Sequence, residues 1–196
     1  PWPLFHFGMT GSFEIYRDGA PRPRFWKVEI AMEDGTRLAM PDPRRFGRIR
    51  LQESPQDVHP LAGLGFDPLE GLPPARELAT LLARRGGPVK SVLLDQSLFA
   101  GVGNWIADEV LYQAAIDPRR PASALDRAAV GRLRARLLAI VRRAVAVGAD
   151  DRRFPRGWLF HDRWGREEGA RTARGERIEH LTIGGRTTAF VPARQR

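Results

Sequence analysis

Two glycines and an asparagine in the middle of the chain, Gly101, Gly103 and Asn104, have the types and spacing of a phosphate-binding turn. The glycines allow a sharp reversal, and the asparagine stands where a cap would start a helix over residues 105–115. The first N–H groups of a helix have no partner inside it, so they suit a phosphate group. The alternative is a helical hairpin that only packs, because such pairs also occur in proteins that never touch DNA.

Three further side chains stand at predicted turns, from which they could enter a stack of bases. Met9 follows the run FHF, and Arg44 and Phe46 belong to the segment DPRRFG. Proteins that deform DNA insert long or flat side chains of this kind between base pairs. Packing at the end of a strand is the alternative for each of them.

Catalytic motifs are scarce. Asp108 and Glu109 could act as an acid or a base, but the pattern favours carboxylates that complement the dipole of the helix after Asn104. The chain has no GxSxG, P-loop or HExxH motif and no cysteine, so the common hydrolytic and nucleophilic signatures are missing. The four histidines are too scattered for a local metal motif. We therefore expect neither a metal nor a cofactor.

The charge balance indicates a polyanionic partner. The 196 residues contain 32 Lys and Arg against 23 Asp and Glu, a formal charge of +9. Only Lys27 and Lys90 are lysines, so the basicity is almost all guanidinium, which suits contacts with phosphates and bases. A compositional bias toward arginine is the alternative. Neither a signal peptide nor an apolar run of about 18 residues is present, so we expect a soluble intracellular protein with no membrane partner.

Segments of different pattern must position these residues. Short apolar runs between turn signals predict strands, a proline- and glycine-rich stretch predicts a linker, and helical periodicity follows. We expect an α+β chain with a partial β-sandwich over residues 1–53, a linker over 54–74, a helical domain over 75–150 and a β-hairpin segment over 151–196.

Helices are predicted over residues 74–85 and 122–147, and a helix–turn–helix over 91–115 that includes Leu98 and Phe99 in its first helix.

Near the end of the chain, Gly184 and Gly185 separate the β-prone runs ERIEHLTI and RTTAFVP, which is a two-residue hairpin signal. We expect Trp158, Phe160 and Trp164 to pack this hairpin segment against the helical domain.

Five segments resemble, in order, those of the formamidopyrimidine-DNA glycosylase and endonuclease VIII family of base-excision repair enzymes. They are FHFGMTGSF, PDPRRFGRI, LGFDPL, VKSVLLDQSLFAGVGNWIADEVLYQAAIDP and GGRTTAFVP, and the similarity spans nearly the whole chain, from Leu4 to Gln195. The resemblance implies a DNA clamp with a β-sandwich, a helix–two-turn–helix domain and a C-terminal finger, and damaged duplex DNA between them. It also implies a monomeric glycosylase that removes oxidised or ring-opened bases and has apurinic/apyrimidinic (AP) lyase activity.

By this resemblance, Met9, Arg44 and Phe46 form the group that fills the hole left when a damaged nucleotide turns out of the duplex. Extrusion costs a few kcal/mol, and side chains that restack the gap offset part of it.

The resemblance also assigns phosphate contacts. Asn104, which follows Gly103 in GVGN, corresponds to the asparagine that grips a phosphate beside the lesion, and Lys90 to a lysine that faces the DNA-binding cleft. Arg186 corresponds to the finger arginine that bonds a phosphate near the extruded nucleotide. Relatives with a zinc finger use four cysteines, whereas this ending is similar to the zincless finger of plant and fungal relatives, so no zinc is expected.

The first residues depart from the family pattern. The family nucleophile is an N-terminal proline, followed closely by a glutamate, whose amine attacks C1′ and forms a Schiff base. Pro1 is followed by Trp2-Pro3, and PWPLFHFGMTG is similar to an internal strand of the family sandwich, so Pro1 is not expected to be the nucleophile. We expect the proline–glutamate pair and a catalytic lysine upstream of residue 1. The chain would then be a fragment or shortened homologue that binds DNA weakly and lacks lyase activity.

Two alternatives remain open, a non-catalytic module that binds damaged DNA and an RNA-binding protein with the same basic charge. For the leading interpretation, we expect a cytoplasmic, nucleoid-associated protein in a bacterium or a nuclear protein in a eukaryote.

Overall fold

The structure, a computed structural model, describes residues 1–8, 10–164 and 169–196. They form two compact units, Pro1–Ala62 and Gly63–Arg196, whose boundary falls within the predicted linker. The mixture of helices and antiparallel sheets confirms the predicted α+β class. Among the described residues, no helix combines the length and the apolar character needed to cross a bilayer. The predicted division into four segments stays a prediction.

In the first unit, the part of the chain that the structure describes forms five short strands, in the order of the alternating runs. They are β1 (Trp2–His6), β2 (Glu14–Arg17), β3 (Trp26–Ala31), β4 (Thr36–Pro41) and β5 (Arg48–Gln52). β1 pairs with β5, and β4 is the central strand between β2 and β3. Burial is concentrated at the end of β4, at Ala39 and Met40, whereas Ile15 and Leu51 are exposed.

The described residues of the second unit form four α-helices and the terminal hairpin. The helices are α1 (Ala75–Ala83), α2 (Val89–Leu93), α3 (Asn104–Ala114) and α4 (Arg127–Ala146). α4 begins after Asp126, whose carboxylate accepts a hydrogen bond from the Ala129 N–H at 2.7 Å and so caps the helix. One apolar core joins the helices, with Phe99, Leu111 and Leu133 fully buried in it.

Two predicted helices were too long. α2 ends at Leu93, because the Asp95 carboxylate accepts hydrogen bonds from the backbone N–H and the hydroxyl of Ser97, and this local turn competes with the helix. Leu98 and Phe99 therefore lie in the turn, although both are buried as predicted. Likewise, Ala122–Ala124 form a single 3₁₀ turn before α4.

The predicted hairpin is confirmed as β6 (Glu179–Ile183) paired with β7 (Arg186–Phe190). Gly184 and Gly185 have φ angles of +56° and +72°, the two positive values that a tight two-residue turn requires.

The aromatic residues before the hairpin differ in burial. Trp158 and Phe160 lie with their ring centroids 6.4 and 5.1 Å from that of Trp105 on α3, which confirms the packing expected of them. Trp164 contacts Phe160 but is 62% exposed.

Candidate nucleic-acid interface

The turn that precedes α3 is held by one side chain, that of Gln96. Its Oε1 accepts a hydrogen bond from the Gly101 N–H at 2.9 Å, and its Nε2 donates to the Val102 carbonyl at 3.0 Å. Gly101 has φ +76°, which a larger residue would adopt only with strain. Gly103 caps the helix, and Asn104 is its first residue, which corrects the prediction that Asn104 is the cap.

The Asn104 side chain is free to point away from its own helix, and it does so toward the hairpin. Its Nδ2 donates to the Thr187 carbonyl of β7 at 2.8 Å, across 83 residues of sequence. Arg186, the first residue of β7, is the exposed neighbour of Thr187. The structure therefore brings together two predicted phosphate contacts, Asn104 and Arg186, at the start of a helix.

Lys90 supports this arrangement from inside the unit. Its Nζ donates to the Asn104 carbonyl at 2.8 Å and forms an ion pair with the Asp108 carboxylate. The residue is completely buried, and this desolvation lowers the pKa of the ammonium against the opposing effect of Asp108. The burial contradicts the expectation that Lys90 faces a cleft, because the pairing with Asp108 draws it inward. A direct contact with DNA stays a prediction.

The two acidic residues of α3 lie beyond its first turn, so they do not complement the helix dipole as predicted. The Asp108 carboxylate is paired with Lys90 and Arg163. The Glu109 carboxylate accepts hydrogen bonds from the Gln113 side chain at 2.7 Å and the Phe160 N–H at 2.9 Å. Burial raises the pKa of Glu109 to about 7, in spite of those hydrogen bonds.

The raised pKa predicts a pH-dependent stability. The folded chain keeps a proton on Glu109 that the unfolded chain releases above pH 4.5, so this contribution is present below pH 4.5 and is lost as the pH rises through about 7. It is worth on the order of 3 kcal/mol. Glu109→Gln stays neutral, and Gln113 can turn its amide to accept from it. The free energy of unfolding of this variant relative to the parent should therefore rise from pH 5 to pH 8 in urea titrations.

Glu77→Gln is the matched control, since Glu77 is exposed on α1 and its substitution should give the same difference at both pH values. A pH-independent difference for Glu109→Gln would contradict the prediction.

In the first unit, Arg44 and Phe46, two of the residues predicted to fill the gap in the duplex, lie on a loop that Asp42 organises. The Gly47 N–H donates to Asp42 Oδ2 at 2.7 Å, and Arg45 between them adopts φ +58°. Phe46 is 50% exposed, and the Arg44 guanidinium lies 4.9 Å from its ring centroid. The loop thus presents a flat side chain and a cation to solvent as one group.

Gly8, which follows the end of β1, lies close to the same loop. It has φ +64°, and a Cβ there would come within 2.6 Å of the Phe46 Cβ. The backbone before Met9 is therefore adjacent to Phe46. Met9 itself lies outside the described residues.

Several residues that shape the site escaped the sequence analysis. Asp42 and Gln96 act through turns, and an aspartate that opens DPRRFG is a recognisable turn signal. Arg163 and Thr187 carried no such signal, because their partners on α3 are distant in sequence. Among the described residues, no group of three or more His, Asp or Glu side chains is placed to hold a metal ion.

Comparison with protein families gives three matches in order along the chain. Residues 1–49 match the formamidopyrimidine-DNA glycosylase N-terminal domain, residues 64–155 its H2TH domain, and residues 158–192 a formamidopyrimidine-DNA glycosylase-like C-terminal domain.

Curated relatives of this chain are named formamidopyrimidine-DNA glycosylase. A formamidopyrimidine-DNA glycosylase of Arabidopsis thaliana is 38% identical over 100% of this chain, and a namesake of Laribacter hongkongensis is 34% identical over 100% of it. The chain spans 53% of the length of the first relative and 75% of the second.

Solved structures have a similar fold. Lactococcus lactis Fpg in complex with DNA that contains an abasic site has a TM-score of 0.83 at 24% identity, over 99% of this chain and 74% of that one. MutM in complex with DNA that contains carbocyclic 8-oxo-G has a TM-score of 0.83 at 25% identity, with the same coverage.

Proposed function

The chain belongs to the formamidopyrimidine-DNA glycosylase family, and on this premise we propose that it is the DNA-binding part of a base-excision repair glycosylase. Its partner is double-stranded DNA that contains damaged bases or abasic sites. The whole protein removes oxidised or ring-opened bases from this DNA after turning them out of the duplex. As a further part of the proposal, the whole protein cleaves the strand through a Schiff base, as an AP lyase.

The observation that carries the proposal is the hydrogen bond between Asn104 and the Thr187 carbonyl, which places the start of α3 beside Arg186. The outward N–H groups of a helix start and a guanidinium on a hairpin are complementary to the phosphates of one strand. The backbone segments that carry both groups are held together before DNA binds, which lowers the entropy cost of ordering them. Contacts with the DNA phosphates position a nucleotide but do not by themselves identify a lesion.

Recognition of the lesion is assigned to the loop of Arg44 and Phe46. An exposed ring under a guanidinium can stack on the bases that flank an emptied position, while the guanidinium donates to the unpaired base. Abasic or damaged nucleotides leave the stack at the least cost, so a protein that fills the gap favours them.

Borohydride trapping on abasic-site DNA tests the catalytic part of the proposal. The reagent reduces a Schiff base to a stable covalent adduct, which a denaturing gel separates from free DNA. We expect no adduct with this chain, in which Pro1 is followed by Trp2-Pro3 and not by the family's glutamate, and an adduct with the product of the whole reading frame.

If neither this chain nor the product of the whole reading frame formed an adduct, the result would contradict the lyase function. It would favour the second candidate, a non-catalytic module that binds damaged DNA. An adduct of this chain that disappears when the Pro1 amine is acetylated would show instead that Pro1 is the nucleophile.

A further inference from the structure

α3 is attached to the edge of β7 at two points. Besides the bond from Asn104 to the Thr187 carbonyl, the Ala189 N–H donates to Asp108 Oδ2 at 3.2 Å. Asn104 and Asp108 lie one helical turn apart on the same face, a rise of about 6 Å. Thr187 and Ala189 are alternate residues of a strand, about 6.8 Å apart. Because the two spacings agree, both bonds form without bending either element.

Asp108 is also the centre of a buried charge cluster. Its Oδ1 accepts from the Lys90 ammonium, and its Oδ2 accepts from Arg163 Nε at 3.1 Å and Nη2 at 2.6 Å. The side chains of Asp108 and Lys90 are fully buried, and that of Arg163 is 5% exposed. This one carboxylate of α3 therefore pairs with a cation on α2 and with a cation on the segment after Trp158, and it holds β7 as well.

Both predicted phosphate contacts depend on this carboxylate. Lys90, which Asp108 holds, donates to the Asn104 carbonyl. Ala189, which Asp108 also holds, belongs to the strand that begins at Arg186. Loss of the carboxylate leaves two buried cations without a counter-charge and releases one of the two points that fix the strand to the helix.

We propose that Asp108 is a positioning residue for DNA binding, which fixes Arg186 relative to Asn104 so that both meet the phosphates of one strand. The inference rests on the proposed function and deepens it, since the ligand is the same sugar–phosphate backbone. Asp108 itself touches no DNA in this arrangement, because it is fully buried beneath the contacts that it orients.

A double-mutant cycle tests the proposal. Asp108→Asn, Arg186→Ala and the double variant are titrated against a fluorescent duplex with a tetrahydrofuran abasic-site analogue, at a temperature where circular dichroism shows each variant to be folded. We expect each single variant to bind at least about tenfold more weakly and the double variant to lose clearly less affinity than the product of the two single losses, because coupled residues are not additive. Additive losses, or unchanged binding by a folded Asp108→Asn, would overturn the proposal.

A second variant covers a failure of Asp108→Asn to fold. Asp108→Glu keeps a negative charge beside Lys90 and Arg163, but its longer side chain displaces the carboxylate from the Ala189 N–H. It therefore replaces Asp108→Asn in the cycle with the same expected coupling to Arg186. Glu176→Gln is the matched control. Its carboxylate accepts from the Tyr112 hydroxyl of α3 at 2.8 Å, but it holds a segment away from Arg186, so binding should not change.

The same measurements separate the positioning role of Asp108 from the phosphate contact of Arg186. If Arg186→Ala weakens binding and Asp108→Asn does not, only the positioning role is wrong. If Arg186→Ala binds as the parent does, the phosphate contact and the positioning role that depends on it are both wrong.

Discussion

Replacement of Arg186 by alanine is expected to weaken binding to an abasic-site duplex by about 10- to 100-fold, the value of one charge-assisted contact with a phosphate. Arg186 is exposed at the start of β7, next to the carbonyl that Asn104 holds, so its removal leaves the fold intact. Because the contact is with a phosphate, the loss should be similar for every sequence. The slope of log Kobs against log salt should also become smaller by about one unit.

Arg142→Ala is the control for Arg186→Ala, since Arg142 is an exposed arginine of α4 with the same charge. Fluorescence anisotropy titrations across a salt series measure the affinity and the salt slope of both variants. Equal losses for both would mean that net charge, and not a placed contact, determines the affinity.

Phe46→Ala is expected to abolish most of the preference for an abasic-site duplex over the same duplex without damage. Stacking of an aromatic ring on a base is worth about 1–3 kcal/mol, or about 5- to 150-fold in affinity. That stabilisation is available only where a gap exists, so affinity for the undamaged duplex should change little. Phe46 is 50% exposed, so its removal is not expected to unfold the unit.

The control for Phe46→Ala is Leu51→Ala, a second exposed apolar residue of the same unit, 67% exposed on β5. It should keep the preference of the parent chain. An equal loss of affinity for damaged and undamaged duplex in Phe46→Ala would argue against gap filling and for a general contact.

Local patterns were sufficient to predict the strands and the hairpin. Alternation and turn residues act within a few positions, and the pair Gly184-Gly185 admits few other conformations. The same reasoning failed at α2, because the apolar residues Leu98 and Phe99 are buried without being helical. Periodicity reports which residues are buried, and the Asp95 side chain decided where the helix ends.

The buried contacts of the site could not be predicted from the sequence. A lysine is rarely buried without a partner. The partner of Lys90 is Asp108, 18 residues away, and Arg163 joins the cluster only by binding the same carboxylate. The link between Asn104 and Thr187 joins residues 83 positions apart. Resemblance to a family predicted that Asn104 and Arg186 contact phosphates, but only the structure showed that Asn104 binds the backbone carbonyl of Thr187, the residue next to Arg186.

The most direct test compares the affinity of this chain for three ligands of equal length under one salt condition: a duplex with a central tetrahydrofuran, the same duplex without damage, and a double-stranded RNA of the same sequence. Extrusion costs least at an abasic position, so the chain should prefer the first duplex by about tenfold or more. Equal affinity for all three would contradict a lesion-binding function and indicate a general polyanion-binding protein.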